Sequence, residues 1–200
     1  MILGIDKAKV ANRALGVTFE STVYPVQIDG KTYNLYDTVG LGEYTGGTVD
    51  NPNAIRNLYR LVTDLSNSGG VSLLVFVMKQ GRLTETIPKN YALFYRGFCD
   101  SKVPIMIIVT GCENMQPTMD TWWTENEASF TKAGMLFDGH ACVCASKGRK
   151  TETGYRDEDL VRESVGVVKQ LVVRYCMSNG WEKVRNLKLV PLEFIDILPI

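Results

Sequence analysis

Two predominantly apolar runs constrain what this chain of 200 residues can fold into. Val71 to Met78 and Val103 to Val109 are each as long as a β-strand, and neither alternates apolar with polar residues. Strands of this kind are covered on both faces, as in parallel sheets with helices on either side. Parallel neighbours need a crossover connection of about a dozen residues or more, and the chain has room for one after each run. The two runs therefore predict an α/β fold.

Apolar residues recur at helical spacing in the segments that would connect these strands. The pattern predicts helices over residues 53–65, 84–98, 120–133 and 157–177, and a short strand over 140–145. Gly69-Gly70 follows the first of these helices, and glycine commonly adopts the left-handed conformation that ends a helix. After the helix over 53–65, the order of elements is thus strand, helix, strand, helix, strand, helix.

An antiparallel hairpin is predicted before this alternation begins. Residues 22–29 and 31–37 are both β-prone, and Asp29-Gly30 between them is a strong signal for a two-residue turn. Together the elements predict a three-layer α/β sandwich with a mostly parallel sheet.

Charge and cysteine content exclude several function classes. The 22 basic residues balance the 22 acidic ones, which argues against a nucleic-acid partner. The five cysteines contain no C-x-x-C and there is a single histidine, so neither a disulfide framework nor a zinc site is expected. The apolar runs are shorter than the ~20 residues of a membrane span. A reduced, cytoplasmic protein without a transmembrane segment is the expectation.

Functional residues are expected directly after each predicted strand, because ligands of parallel sheets bind beyond the carboxyl ends of the strands. Asp37 to Gly40 (DTVG) ends the hairpin and opens a glycine-rich loop. There a carboxylate can hold a magnesium-bound water and a glycine amide can approach a phosphate. The alternative is a turn with an aspartate cap.

Two more loops follow the later strands. Thr110 to Glu113 (TGCE) places a carboxylate where it can accept two hydrogen bonds from a guanine edge, or where it caps the next turn. Cys144 to Lys147 (CASK) offers small residues whose backbone amides can meet a base oxygen.

Taken together, these loops resemble the G domain of the P-loop GTPase class. More narrowly, the chain is similar to fungal G-domain proteins related to the septin and immunity-associated GTPases. The resemblance covers roughly residues 15 to 175 and is carried by GVTFEST, DTVGLGE, SLLVFVMKQGRLT, PIMIIVTGCEN and FDGHACVCASKGR. DTVG is similar to the magnesium and γ-phosphate motif, TGCE occupies the place of [NT]-K-x-D, and C-A-S that of S-A-K.

The resemblance implies binding of GTP with Mg²⁺. It implies that Asp37 and Thr22 hold the metal and that Gly40 contacts the γ-phosphate. Thr22 would be the threonine of the family's switch-one loop, and Thr18 is the alternative for that position. It further implies a guanine-reading set at the two later strand ends, namely Thr110, Glu113, Ala145 and Ser146.

The chain departs from this family most at the phosphate loop. No G-x-x-x-x-G-K-[ST] occurs, and only Lys7 or Lys9 near the start could supply phosphate charge. Either the loop was shed or the polypeptide is truncated. Gly111 replaces the lysine that covers the base, and Leu41 stands where Ras-like enzymes carry glutamine. Hydrolysis is therefore expected to be weak or absent, with no catalytic residue assigned.

The expected organisation is an incomplete G domain over residues 1–178 and an apolar extension over 179–200 that packs on it. The place of the first strand would be taken by Met1 to Ile5, by Leu192 to Leu198 or by a partner chain. A rival function is a nucleotide-independent interaction module, a pseudo-GTPase. In that case the surface around the switch-one threonine and the DTVG loop would bind a protein partner or a second copy of the chain.

Overall fold

The computed structural model of the chain describes residues 21–38 and 52–182. These residues belong to two compact units. The sheet unit comprises Leu73–Leu83 and Pro104–Cys176, and the hairpin unit comprises the remaining described residues. Met1 to Ile5 and Leu192 to Leu198, the segments predicted to complete the sheet, lie outside the described residues.

The hairpin unit begins with two antiparallel strands, β1 (Ser21–Ile28) and β2 (Lys31–Thr38). Asp29 and Gly30 form the turn with φ angles of 48° and 77°. Positive φ at both central residues is the turn geometry that matches the twist of paired strands, and Asp-Gly adopts it readily. The predicted hairpin is confirmed.

Two helical segments complete this unit. Helix α1 (Pro52–Asn67) ends at Gly69 and Gly70, which have φ angles of 103° and 81°. The Gly70 N–H donates to the Leu65 carbonyl over 2.8 Å and so satisfies one of the last carbonyls of the helix. Helix α2 (Thr86–Tyr91) continues directly into a π-helical segment, Ala92–Phe98. Both helices lie where the apolar spacing predicts them.

The sheet unit contains three parallel strands in the order β3-β4-β5. They are β3 (Leu74–Lys79), β4 (Ile105–Thr110) and β5 (Gly139–Val143). Helix α3 (Thr121–Lys132) connects β4 to β5. After β5 the chain forms a small hairpin, β6 (Lys150–Thr151) with β7 (Gly154–Tyr155), and then helix α4 (Glu158–Tyr175). The predicted α/β architecture with a parallel sheet is confirmed for this unit.

Helices α3 and α4 cover opposite faces of the sheet. The His140 ring of β5 stacks on Trp123 of α3, with ring centroids 4.9 Å apart and an interplanar angle of 15°. The preceding residue, Gly139, instead faces the ring of Tyr175 in α4. Because successive residues of a strand point to opposite faces, the two helices form the outer layers of a sandwich.

The central strand β4 is the core of the unit, whereas β3 departs from the sequence prediction. Residues 105–109 are each at most 2% exposed. The run from Val71 to Met78 was expected to form a strand covered on both faces, but β3 starts only at Leu74 and its Val77 side chain is 52% exposed. The reason is its position, since β3 pairs with a single strand, β4, in the described part of the chain.

The helices of the described ranges, 21–38 and 52–182, were compared in length and hydropathy with what a membrane span requires. None of them is long and apolar enough to cross a membrane.

The contact between Gly139 and α4 leads to a stability prediction. A methyl group on Gly139 would lie 2.5 Å from Cε2 of Tyr175, so Gly139→Ala forces the ring or the strand to move. We expect a loss of about 1–3 kcal/mol in the free energy of unfolding, measured by urea denaturation. The matched control is Gly166→Ala in α4, where an added methyl group meets no atom within 4 Å. It should stabilise the protein by up to about 1 kcal/mol, because alanine favours helix. Equal stability of the two variants would contradict this account of the packing.

Candidate functional site

The residues proposed for phosphate and metal lie in the hairpin unit or outside the described residues. Asp37 is exposed on β2, and Thr22 of β1 is its Cα partner across the hairpin. Gly40 and Thr18 lie outside the described residues, as do Lys7, Lys9 and Leu41.

The four residues proposed to read the base all lie in the sheet unit, beyond the carboxyl ends of two neighbouring strands. Thr110 ends β4 and is the Cα partner of Val143, which ends β5. The two following loops are joined by a hydrogen bond from the Cys112 N–H to the Val143 carbonyl, 3.3 Å long. The sheet thus brings the loop of Glu113 and the loop of Ala145 to the same edge. We call this edge, residues 110–113 and 144–147, the strand-end edge.

Glu113 is the acidic group of the strand-end edge. Its side chain is half-buried, and its carboxylate forms no hydrogen bond or ion pair with the described part of the chain. Thr110, by contrast, has its hydroxyl engaged, because Oγ1 donates to the Met78 carbonyl of β3 over 3.3 Å. Of these two residues, Glu113 is therefore the one left to accept hydrogen bonds from a ligand.

The loop after β5 is held by its own hydrogen bonds. The Cys144 N–H donates to Ser164 Oγ of α4 over 3.0 Å, and the Gly148 N–H donates to Ser146 Oγ over 3.2 Å. The Cys144 thiol donates to the Ser146 carbonyl over 3.1 Å. The Ala145 N–H between them donates to no residue in the described ranges. The loop therefore presents the Ala145 N–H as an unused backbone donor, and the N–H groups of Ser146 and Lys147 likewise have no acceptor in the described ranges.

Lys79, at the end of β3, lies beside the strand-end edge and was missed by the sequence prediction. Gly111 has a φ of 84°, and a Cβ built on it would lie 3.6 Å from both Cγ and Cε of Lys79. The neighbouring Gln80 donates through Nε2 to the Gly111 carbonyl. The aliphatic stem of Lys79 thus runs alongside the backbone of residue 111, where the resembled family carries its lysine. The available signal was the position of Lys79 at the end of a predicted strand.

A second missed feature is the pair formed by Arg156 and Asp157, just before α4. Arg156 Nε donates to both carboxylate oxygens, at 2.9 and 3.0 Å, and Nη2 donates to Oδ2 at 2.8 Å. These hydrogen bonds lower the pKa of Asp157 and raise that of Arg156. The charge of Glu113 also raises the pKa of Arg156, so the pair lies within electrostatic range of the strand-end edge.

The position of Asp157 also explains a glycine. Gly148 has a φ of 70°, and a Cβ on it would collide with Asp157 Oδ2. The Asp157 N–H donates to the Lys147 carbonyl over 3.0 Å, which closes the loop that follows β5. Only glycine allows the carboxylate to approach this closely.

The acidic residues can be tested for a fit to Mg²⁺. Within the ranges that the structure describes, no three His, Cys, Asp or Glu side chains are grouped as metal ligands. Mg²⁺ is commonly held by one or two carboxylates together with substrate phosphates and waters. A single exposed carboxylate such as Asp37 fits that mode of binding.

Comparison of the sequence with protein families and curated proteins identifies no relative of this chain. The sequence matches no protein-family model and no curated protein.

Proposed function

We propose that the chain binds a guanine nucleotide and that the strand-end edge reads the base. The observation that carries the proposal is the pair of unused groups at neighbouring strand ends, the Glu113 carboxylate and the Ala145 N–H. One is an acceptor with two oxygens and the other is a fixed donor. Ligands of parallel sheets bind at this end of the strands.

Guanine matches this pair of groups better than adenine does. Its N1–H and exocyclic amino group are adjacent donors that one carboxylate accepts together, and O6 beside them is an acceptor for a backbone amide. Adenine has an unprotonated ring nitrogen and an exocyclic amino group on the same edge. Placed in the same way, adenine would set acceptor against carboxylate and donor against amide. The proposed selectivity therefore follows from the chemistry of Glu113 and Ala145.

Lys79 is proposed to cover one face of the base. A glycine at position 111 has no side chain for that purpose, and the Lys79 stem lies beside it. Its methylenes would exclude water from one face of the base, while its ammonium group stays in water.

The remaining parts of the proposed site follow from the resemblance to septin-related and immunity-associated GTPases. Asp37 and Thr22 would hold Mg²⁺, and Gly40 would approach the γ-phosphate of GTP. Bound Mg²⁺ would supply charge neutralisation at the phosphates. Thr110 and Ser146 would act by shaping the two loops, because their hydroxyl groups are already hydrogen-bonded to Met78 and Gly148. No residue is proposed as catalytic.

Loss of the Glu113 carboxylate tests the proposed function. In Glu113→Gln the side-chain amide would oppose the donors of guanine, so we expect the Kd for fluorescent GTP with Mg²⁺ to rise about 10- to 100-fold. Glu125→Gln on the exposed surface of α3 is the matched control and should leave the Kd unchanged. Excess ATP should not displace the GTP.

Two results would refute guanine binding by this edge. One is the absence of saturable binding up to millimolar GTP, which would favour the nucleotide-independent interaction module. The other is binding that ATP displaces as well as GTP does.

Truncation of Lys79 tests its role separately. Lys79→Ala removes the stem and should weaken GTP binding about 3- to 10-fold, because apolar contact with the base is lost. Lys79→Met keeps most of the stem and should retain most of the affinity. Arg82→Ala, at an exposed cation after the same strand, is the control. If Lys79→Ala bound GTP as tightly as the parent chain, Lys79 would not contact the base.

A further inference from the structure

Helix α4 has a continuous exposed face on the side that points away from the sheet. Val161, Val168 and Val172 are buried on its inner side. On the opposite side, exposed residues follow one another at steps of four, three, four and three positions, the repeat by which one helix packs along another. They are Asp159, Glu163, Gly166, Gln170 and Val173, with Val167 and Arg174 beside them, and we call them the α4 outer face.

This face contains apolar surface and a glycine that the chain itself does not require. Val167 and Val173 are 39% and 42% exposed. Gly166 has helical backbone, and an added Cβ would meet no atom within 4 Å. Glycine in an exposed helix interior costs about 1 kcal/mol relative to alanine. Its use is that a second helix can approach the backbone closely, because no side chain separates the two.

The charges of α4 are divided between its two halves. Residues 158–166 contain three acidic side chains and one basic one, whereas residues 167–175 contain two basic side chains and no acidic one. Two copies of the helix aligned in parallel would place like charges side by side. Aligned antiparallel, the acidic half of each helix lies against the basic half of the other. The face is therefore complementary to itself in one orientation.

Opposing Asp159 with Arg174 of a second copy fixes the register. Asp159 accepts a hydrogen bond from Arg162 of its own helix, and a carboxylate can accept further donors. Arg174 lies over the ring of Tyr175, with Cζ 5.3 Å from the centroid, and its N–H groups meet no acceptor in the described part of the chain. Two-fold symmetry forms this ion pair twice, once at each end of the contact.

We propose that two copies of the chain form an antiparallel dimer through the α4 outer face, with the two-fold axis between Gly166 and Val167. The two Gly166 backbones approach each other beside the axis, and the two Val167 side chains pack together. Glu163 falls opposite Gln170 of the second copy, whose amide donates to the carboxylate. Because this face contains no residue of the strand-end edge, the pairing does not depend on a bound nucleotide.

The extent of the contact sets its strength. The face spans about 24 Å of helix, from Asp159 to Arg174. A single pair of helices buries less than the roughly 1,600 Å² of a standard interface, so the dimer exchanges with the monomer, with a Kd of about 10–100 μM.

Sedimentation velocity of the protein tests the dimer. We expect the mass to rise with concentration from 22.3 kDa toward that of two chains. Raising NaCl from about 50 to about 500 mM should increase the Kd several-fold by screening the ion pairs. Val167→Glu places two carboxylates across the axis and should raise the Kd at least about 10-fold. Lys132→Glu, at a cation in the last turn of α3, is the control and should leave the Kd unchanged.

Exchange of the charges tests the register. Asp159→Arg alone opposes arginine with Arg174, and Arg174→Glu alone opposes glutamate with Asp159, so each variant should be monomeric by itself. In an equimolar mixture, the arginines of one chain oppose the acidic residues of the other at both ends. The mixture should therefore dimerise with a Kd within about threefold of the wild-type value. Recovery in the mixture also shows that both variants are folded.

Three results would overturn the proposal. The first is a wild-type chain that stays monomeric up to about 0.5 mM. If Val167→Glu then lowers its unfolding temperature, the face is covered from within the chain. The second is a dimer whose Kd is unchanged in Val167→Glu, which would place the contact elsewhere. The third is a mixture of the two charge variants that remains monomeric although circular dichroism shows both to be folded.

Discussion

The complete burial of β4 is the constraint on which the sheet unit depends. Its apolar residues, 105–109, can be removed from water only if a strand pairs on each side and a helix covers each face. β3 and β5 provide the pairing, while Trp123 of α3 and Tyr175 of α4 lie against opposite faces at β5. Because the pairing is parallel, all three strands end at the same edge. The position of the candidate site follows from this arrangement.

The chemistry of that edge is set by which polar groups the fold uses for itself. The hydroxyl groups of Thr110 and Ser146 and the amide of Cys144 are engaged in hydrogen bonds that hold the loops. The Glu113 carboxylate and the Ala145 amide remain unused in the described part of the chain. A buried polar group needs a partner, and a half-buried acceptor beside a fixed donor is suited to a ligand that offers both complements. The proposed guanine site is therefore based on the polar groups of the two loops that the fold, within the described ranges, leaves without a hydrogen-bond partner.

The local pattern of apolar and turn residues was sufficient to predict the helices and strands and the position of the strand-end edge. The Asp29-Gly30 turn and the end of α1 at Gly69-Gly70 follow from glycine's backbone freedom, and the structure confirms both. The exposure of Val77 could not be predicted, because an apolar run records what a strand can bury and not how many neighbours it has. The prediction of a strand here is correct, and only its predicted burial on both faces is wrong.

The missed residues share a different cause. Lys79 meets Gly111, about 30 positions away along the chain, so only the register of the sheet brings them together. Arg156 and Asp157 reach the edge because the β6–β7 hairpin returns the chain to Lys147. Nothing in the spacing of these residues signals the contacts. The identity of the ligand likewise stays a prediction, because Asp37 belongs to the hairpin unit and Gly40 lies outside the described residues.

The central claim is that Glu113 and Ala145 read guanine, and amide chemical shifts test it most directly. Uniformly ¹⁵N-labelled protein would be titrated with GDP and, in parallel, with ADP, both with Mg²⁺. The account predicts saturable shifts at the Glu113 and Ala145 amides and at Gly111 with GDP, and no saturable shifts there with ADP. Equal shifts with both nucleotides, or GDP-dependent shifts that leave these three amides unmoved, would contradict it.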